Sequence, residues 1–434
     1  MRRRPLLVSV VLTASVLALP AGARAAWGPP VAISPAGQDV SAAALAVDDG
    51  GRPAVLLEAR GRGAATTLRL RRGTARGGLT APATVTSSPH IIESAMLFTG
   101  RGSDLVAGWL DIVNGARRPV VATGSRLADR QVLAPGPRST QFLALAADRR
   151  GDAAVAFWRY SGNVYSVWAA YRLAGGRFGA AQQLAVGRVG NPVVAVGPGG
   201  EAVVAWGTPE GLQVAERTAG ATAFATPSQL PTASSPLSEP GVGIAGGHVV
   251  LAWVTGTAGG GRSLVAAESA AAGSPPAAPV AIDPGASSLP PRPGAPTVTV
   301  QPGRSLVAWV RGPRGSTARD TGALAVSTTP GTWGAVQRLA APGRAHAGAA
   351  DLTAPAPGRP PILALTTQQG ARSGVATANL RADGTLGPRR VPVAGPVRPG
   401  ARVAQGGGRA WLAATREVGT TRHPSGRALL LSDA

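Results

Sequence analysis

The sequence predicts an all-β fold, a single β-propeller of about eight four-stranded blades with seven as the alternative count. Three observations carry that expectation. A unit of about fifty residues recurs with a tryptophan at its centre, clearest at Ser103 to Trp109, Asp152 to Trp158, Gly200 to Trp206, Gly247 to Trp253 and Gly303 to Trp309. Inside each unit apolar and polar residues alternate with the period of a strand, and no segment beyond the leader keeps a helical period. The two chain ends supply complementary parts of one unit.

The leader comes first. Arg2, Arg3 and Arg4 precede an apolar run from Leu6 to Leu19 and a small-x-small site at Ala23, Arg24 and Ala25. That is the pattern of a signal peptide over residues 1–25, leaving 26–434 as the propeller domain of a secreted or envelope-associated protein. The run is too short, and too soon followed by Pro20 and Gly22, to span a bilayer. Arg3 and Arg4 faintly resemble a twin-arginine signal, but the ordinary export route is expected.

The mature chain opens on Trp27 to Ile33, a fourth-strand pattern with no unit before it. It ends on Ala401 to Ala434, which supplies a first, second and third strand and then stops. The N-terminal strand is therefore expected to complete the last blade and close the ring, removing exposed sheet edges.

Each unit has four parts. A short apolar strand such as Leu143 to Ala147 runs into a tight turn at Asp148 to Gly151. The second strand ends in the tryptophan. The third resembles Val164 to Tyr171 or Leu212 to Arg217. The fourth carries an aromatic or leucine and an apolar residue six positions later: Leu79 and Val85, Leu127 and Leu133, Phe178 and Leu184, Phe224 and Leu230, Trp333 and Leu339. Aligning the turns at Gly51, Gly102, Gly151, Gly199, Gly246, Pro302, Gly358 and Gly407 gives a central column of Glu58, Trp109, Trp158, Trp206, Trp253, Trp309, Leu365 and Ala414. Its large members are expected to pack between adjacent sheets. The stretch Ala271 to Pro296, rich in Pro, Ala, Gly and Ser, reads as a flexible excursion and not a domain boundary.

The formal charge is +22, and +18 without the leader's four arginines. All 43 basic residues are arginine, scattered through a chain rich in Ala, Gly and Pro. That composition points to a GC-rich, actinobacterial genome, and no nucleic-acid partner is expected. The chain has no cysteine, which excludes disulfides, thiolate metal sites and a lipidated N-terminal cysteine. His90, His248, His346 and His423 lie in different units without ligand spacing, so no metal or cofactor is expected. The acid pairs Asp48/Asp49 and Asp148/Asp152 sit at tight turns and read as turn residues. Nucleophile-elbow and zinc-protease motifs are absent from the sequence.

Ser327 to Trp333 resembles the Asp-box of sialidase-like propellers, keeping the Ser, Gly331 and the Trp, with Thr329 where that motif has its Asp. The chain is thus similar to secreted bacterial propellers of this loose type, many without known function. The resemblance implies the fold. Sialidase chemistry would further require three arginines, a tyrosine beside a glutamate, and an aspartate. The tyrosines, Tyr160, Tyr165 and Tyr171, all lie in one unit, and no set maps. A non-catalytic exported binding or scaffold propeller is the leading expectation, a degenerate sialidase-like glycoside hydrolase the alternative, and a structural partner of another exported protein the third.

The loops between second and third strands should share one propeller face. They carry Arg60 and Arg62, Arg117 and Arg118, Arg159, Arg262, Arg311, Arg314, Arg319, Arg372, Arg416 and Arg422, with Tyr160 and Asn163 beside Arg159. Converging guanidinium groups suit carboxylate or phosphate, which suggests an anionic glycan or cell-wall polymer as ligand.

Overall fold

The structure, a computed structural model, describes residues 27–433 except 36, 62–64, 76, 114, 135–138, 232–235, 257–261, 270–273, 285–294, 312–320, 341–345, 354–358, 369–373, 399 and 421–422. The signal peptide expected over residues 1–25 lies outside these residues. Eight antiparallel sheets form an eight-bladed propeller, and the described residues contain no helix. In chain order the blades span 39–88, 93–132, 139–187, 193–231, 241–283, 297–340, 346–394 and 402–432, here blades 1 to 8. Blade 3 is representative: Ser139–Ala147, Ala153–Ser161, Val164–Arg172 and Gln182–Gly187 pair in that order.

Blade 8 receives its fourth strand from the N-terminus, as expected. Val31 pairs with Leu430 and Ala32 with Leu429, Gly28 N donates to Ser432 O at 2.8 Å, and Ile33 is buried in the seam between blades 8 and 1. At that seam the turns of the two blades touch. Gly407 has φ +49, and a Cβ there would lie 2.2 Å from Gly51 N, so only glycine fits.

The core consists of apolar layers between neighbouring blades. Trp109 packs on Leu56 and Leu68 of blade 1, Trp206 on Val167 of blade 3, Trp253 on Leu212 of blade 4 and Trp309 on Leu264 of blade 5. Leu365 and Ala414 likewise face the preceding blade. Two members of the expected column are corrected. In blade 3 the buried ring against blade 2 is Phe157, and Trp158 is half-buried and faces blade 4. In blade 1 the buried residue is Leu57, not Glu58. The cause is turn register. The closing bonds Gly100 N to Asp104 O, Asp148 N to Asp152 O and Gly197 N to Glu201 O show that Gly51 and Gly151 stand one place later in their turns than Gly102 and Gly199. A slip of one residue sends a side chain to the other face of its strand.

The fourth-strand pairs behave as expected: Leu127, Phe178, Phe224, Val85, Leu133, Leu184, Leu230 and Leu339 are buried. The excursion expected over Ala271 to Pro296 is corrected in part, because Val280–Asp283 inside it is the fourth strand of blade 5 and buries Ile282.

Charged side chains latch successive blades. Arg172 of blade 3, with its side chain 2% exposed, pairs with Asp104 of blade 2 at 2.9 Å and donates to Gly151 O at 2.9 Å and Gly176 O at 2.7 Å. Arg217 of blade 4 lies 3.4 Å from the ring centroid of Tyr171 of blade 3. Arg311 of blade 6 pairs with Asp283 of blade 5, and Arg398, before blade 8, pairs with Asp39 of blade 1. At the Asp-box-like turn, Glu268 of blade 5 accepts from Ser327 Oγ at 3.2 Å and Gly331 N at 2.5 Å. The preceding blade thus supplies a carboxylate to a turn whose own Asp position is Thr329. No helix among the described residues is long and apolar enough to cross a membrane.

Candidate functional site

Each blade is an antiparallel meander, so two kinds of connection share one face. These are the loops from second to third strand and the connectors from one blade's fourth strand to the next blade's first. The tight first-to-second turns share the opposite face. On the loop face a groove of about 600 Å³ runs across blades 3 to 5. Its walls come from four places, one of them Gly207 to Pro209 at the second-to-third-strand turn of blade 4. Tyr165 starts the third strand of blade 3. Arg188 to Asn191 form the connector into blade 4. Pro236 to Pro240 form the connector into blade 5.

The register shift of blade 3 builds the aromatic wall. Facing blade 4, Trp158 meets Tyr165 edge-on at 5.0 Å between centroids, and Tyr160 also lies 5.0 Å from Tyr165, tilted against it. Tyr160 Oη donates to Asn163 Oδ1 at 2.5 Å. Tyr165 is 36% exposed, with exposed Val164, Val186 and Leu237 nearby in the fold. A polar relay crosses the floor: Trp158 Nε1 donates to Asn191 Oδ1, and Asn191 Nδ2 donates to Glu239 Oε1 at 2.5 Å. The indole thereby fixes the amide and the amide fixes the carboxylate, leaving Glu239 Oε2 to accept from a ligand. Exposed Arg188 adds positive charge at the rim, and a hollow of about 220 Å³ carrying Glu210 and Gln213 adjoins the groove.

A second hollow on this face, about 380 Å³, lies between blades 8 and 1 and is lined by Ser41, Glu58, Arg60, Arg398, Arg402 and Glu417, among others. Arg60 pairs with Glu58 at 2.9 Å, and Arg398 donates to Ser41 Oγ at 3.0 Å as well as to Asp39. Beneath it the first strands enclose an apolar bore of about 390 Å³, into which Asp351 and Arg402 reach. Burial pushes the Asp351 carboxyl above its ordinary value, a shift opposed by the charge of Arg402 and by bonds from Val403 N and Leu352 N.

The sequence-predicted arginines are distributed around the ring. Arg117 forms a two-point pair with Glu93, at 3.0 and 3.1 Å, and reaches Gln141 at 3.3 Å. Arg118 lies beside it, half-buried, with Nε unbonded. Arg159 lies 5.7 Å over the ring of Trp168. Arg262 is half-buried at the start of its strand. Arg311 is held by Asp283, and Arg416 donates to Ala394 O at 3.4 Å. Arg314, Arg319 and Arg372 lie outside the described residues, as do Arg62 and Arg422. None of the described members lines the groove, the bore or the hollow between blades 8 and 1, except Arg60 in that hollow. Tyr160 reaches the groove through Tyr165. Sequence reading missed Trp158, Asn191 and Glu239 as site residues; the one available signal was the confinement of all three tyrosines to a single unit.

On the opposite face His248 lies between Ser269 Oγ, 3.3 Å from Nδ1, and Ser305 Oγ, 3.4 Å from Nε2, with Glu268 4.0 Å away. No group of three or more metal-ligating side chains occurs among the described residues.

No protein-family model matches the chain, and no curated protein does. Solved structures match in fold. The BP39L lectin from Burkholderia pseudomallei aligns at TM-score 0.50 and 14% identity over 81% of this chain and 99% of the lectin. The polysaccharide lyase Uly1 aligns at TM-score 0.44 and 12% identity over 98% of this chain and 95% of the lyase. The α-L-arabinofuranosidase Arb93A from Fusarium graminearum aligns at TM-score 0.40 and 11% identity over 67% and 92%. At such identities the likeness is one of architecture alone.

Proposed function

We propose that this protein is an exported, non-catalytic binding propeller that recognises glycans through the groove across blades 3 to 5. One observation carries the reading. An exposed ring, Tyr165, lines the same groove as a carboxylate, Glu239, that is oriented through Asn191 and Trp158. A sugar presents an apolar C–H face and a rim of hydroxyls. An aromatic platform takes the first, and a fixed acceptor with an amide beside it takes the second. Arg188 at the rim and the strongly basic chain favour acidic glycans of the cell wall or surroundings. The aromatic side chains lose little rotamer freedom on binding, which suits a preformed groove.

A glass array of neutral and acidic glycans, probed with the mature chain at low and at physiological salt, tests this. Salt-sensitive capture by acidic glycans is expected. Silence across the array contradicts the reading and favours the second one, a protein partner docked on exposed Val186 and Leu237. The alternative of a sialidase-like hydrolase draws on Glu58 and Glu417, which line one hollow. Glu58 is already engaged by Arg60, and release of product from aryl glycosides would be needed to support that reading.

A further inference from the structure

The bore is lined by residues of blades 1, 2, 3, 7 and 8. At the turn face Arg149 of blade 3 reaches across the axis to Asp49 of blade 1, Nη1 to Oδ1 3.3 Å, and to Gln405 O of blade 8 at 3.4 Å. Arg402 lines both the bore and the charged hollow between blades 8 and 1. The apolar wall of the bore is formed by Ala44, Ala46, Met96, Phe98, Leu352 and Ala404.

Two charged groups of opposite sign stand on that wall with capacity left over. Asp351 Oδ1 accepts from Leu352 N and Oδ2 from Val403 N, each at 3.1 Å, so each oxygen retains a lone pair. The Arg402 side chain is exposed and makes no hydrogen bond or ion pair with any described residue, whereas those of Arg60, Arg398 and Arg149 are all paired. Asp351 and Arg402 feel each other's charge but do not join in an ion pair. A separated acid and base beside an apolar cavity complement a ligand that carries the reverse pair on an apolar body. A ligand with a single charge would leave one of the two groups desolvated without a partner.

We propose that the bore binds a small zwitterion with an apolar side chain, an α-amino acid whose carboxylate meets Arg402, whose ammonium meets Asp351 and whose side chain lies against Met96 and Phe98. The cavity of about 390 Å³ falls in the size range of small-molecule sites. This site is separate from the groove of blades 3 to 5 and stands or falls without it.

Calorimetric titration of the full mature chain tests the proposal. The probes are L-leucine and L-phenylalanine, with 4-methylpentanoate and isoamylamine as analogues that each lack one charge. At least one of the two amino acids is expected to saturate the protein, and both analogues to bind about tenfold or more weakly. Arg402→Gln and Asp351→Asn should each weaken amino-acid binding to a similar extent, with unchanged melting for Arg402→Gln because that side chain is exposed. Tyr165→Ala should leave it intact. No saturable binding by either amino acid overturns the proposal. So does equal binding of a singly charged analogue, or affinity unmoved by Arg402→Gln.

Discussion

At the residue scale, two adjacent rings of one strand have opposite duties. Phe157 is fully buried against blade 2, and Trp158 is half-buried at the groove. Phe157→Ala is therefore expected to cost about 3–5 kcal/mol in a denaturant melt, as is Trp206→Ala. Trp158→Ala should cost clearly less and abolish glycan binding. A melt in which Trp158→Ala is the more damaging of the two would refute the register assigned to blade 3. Tyr171 offers a pH signature. Burial, reinforced by the charge of Asp152 and opposed by Arg217, pushes its phenol up to about 12. The folded protein thus holds this proton more tightly than the unfolded chain, whose tyrosines titrate near 10. Stability from this group is complete below pH 10 and declines as pH rises from there towards 12. An ultraviolet titration should show one late tyrosine step, missing in Tyr171→Phe.

At the scale of elements, neighbouring blades are joined by apolar layers and by charged latches, and the two were not equally legible. Arg172→Ala removes one member of a buried pair and the donor to two carbonyls, so a loss of about 3 kcal/mol is expected. A double-mutant cycle with Asp104→Ala should return a coupling of about 1 kcal/mol or more; additive losses would remove the latch from the account. Strand alternation and the paired apolar positions of the fourth strand are local signals, which is why most strands could be read from sequence. The fourth strand of blade 5 was hidden because Val280 to Asp283 is short and surrounded by proline and alanine. Glu268 could not be read as the carboxylate of the Asp-box-like turn, because it comes from another blade 59 residues before Ser327. The groove was hidden for the same reason. Its aromatic side lay in one unit, but Asn191 and Glu239 sit on connectors that carry no motif and meet only when three blades pack together.

At the scale of the whole molecule, the split final blade ties the termini together and fixes the ring. Deleting residues 27–33 removes a strand partner for Leu429 and Leu430, the bond from Trp27 Nε1 to Thr377 Oγ1 and the buried Ile33. A loss of about 3 kcal/mol or more is expected, with concentration-dependent association through the uncovered edge. A melt and elution profile identical to those of the intact chain would deny the closure any stabilising role. A closed ring is a suitable platform for a preformed site, and the central claim is that this site is the aromatic groove. The most direct test is titration of the acidic glycan best captured on the array into the intact chain, Tyr165→Ala and Glu239→Gln. The account predicts about tenfold or weaker binding in both variants with near-unchanged melting temperatures. Affinity retained in both would place the binding site elsewhere and contradict it.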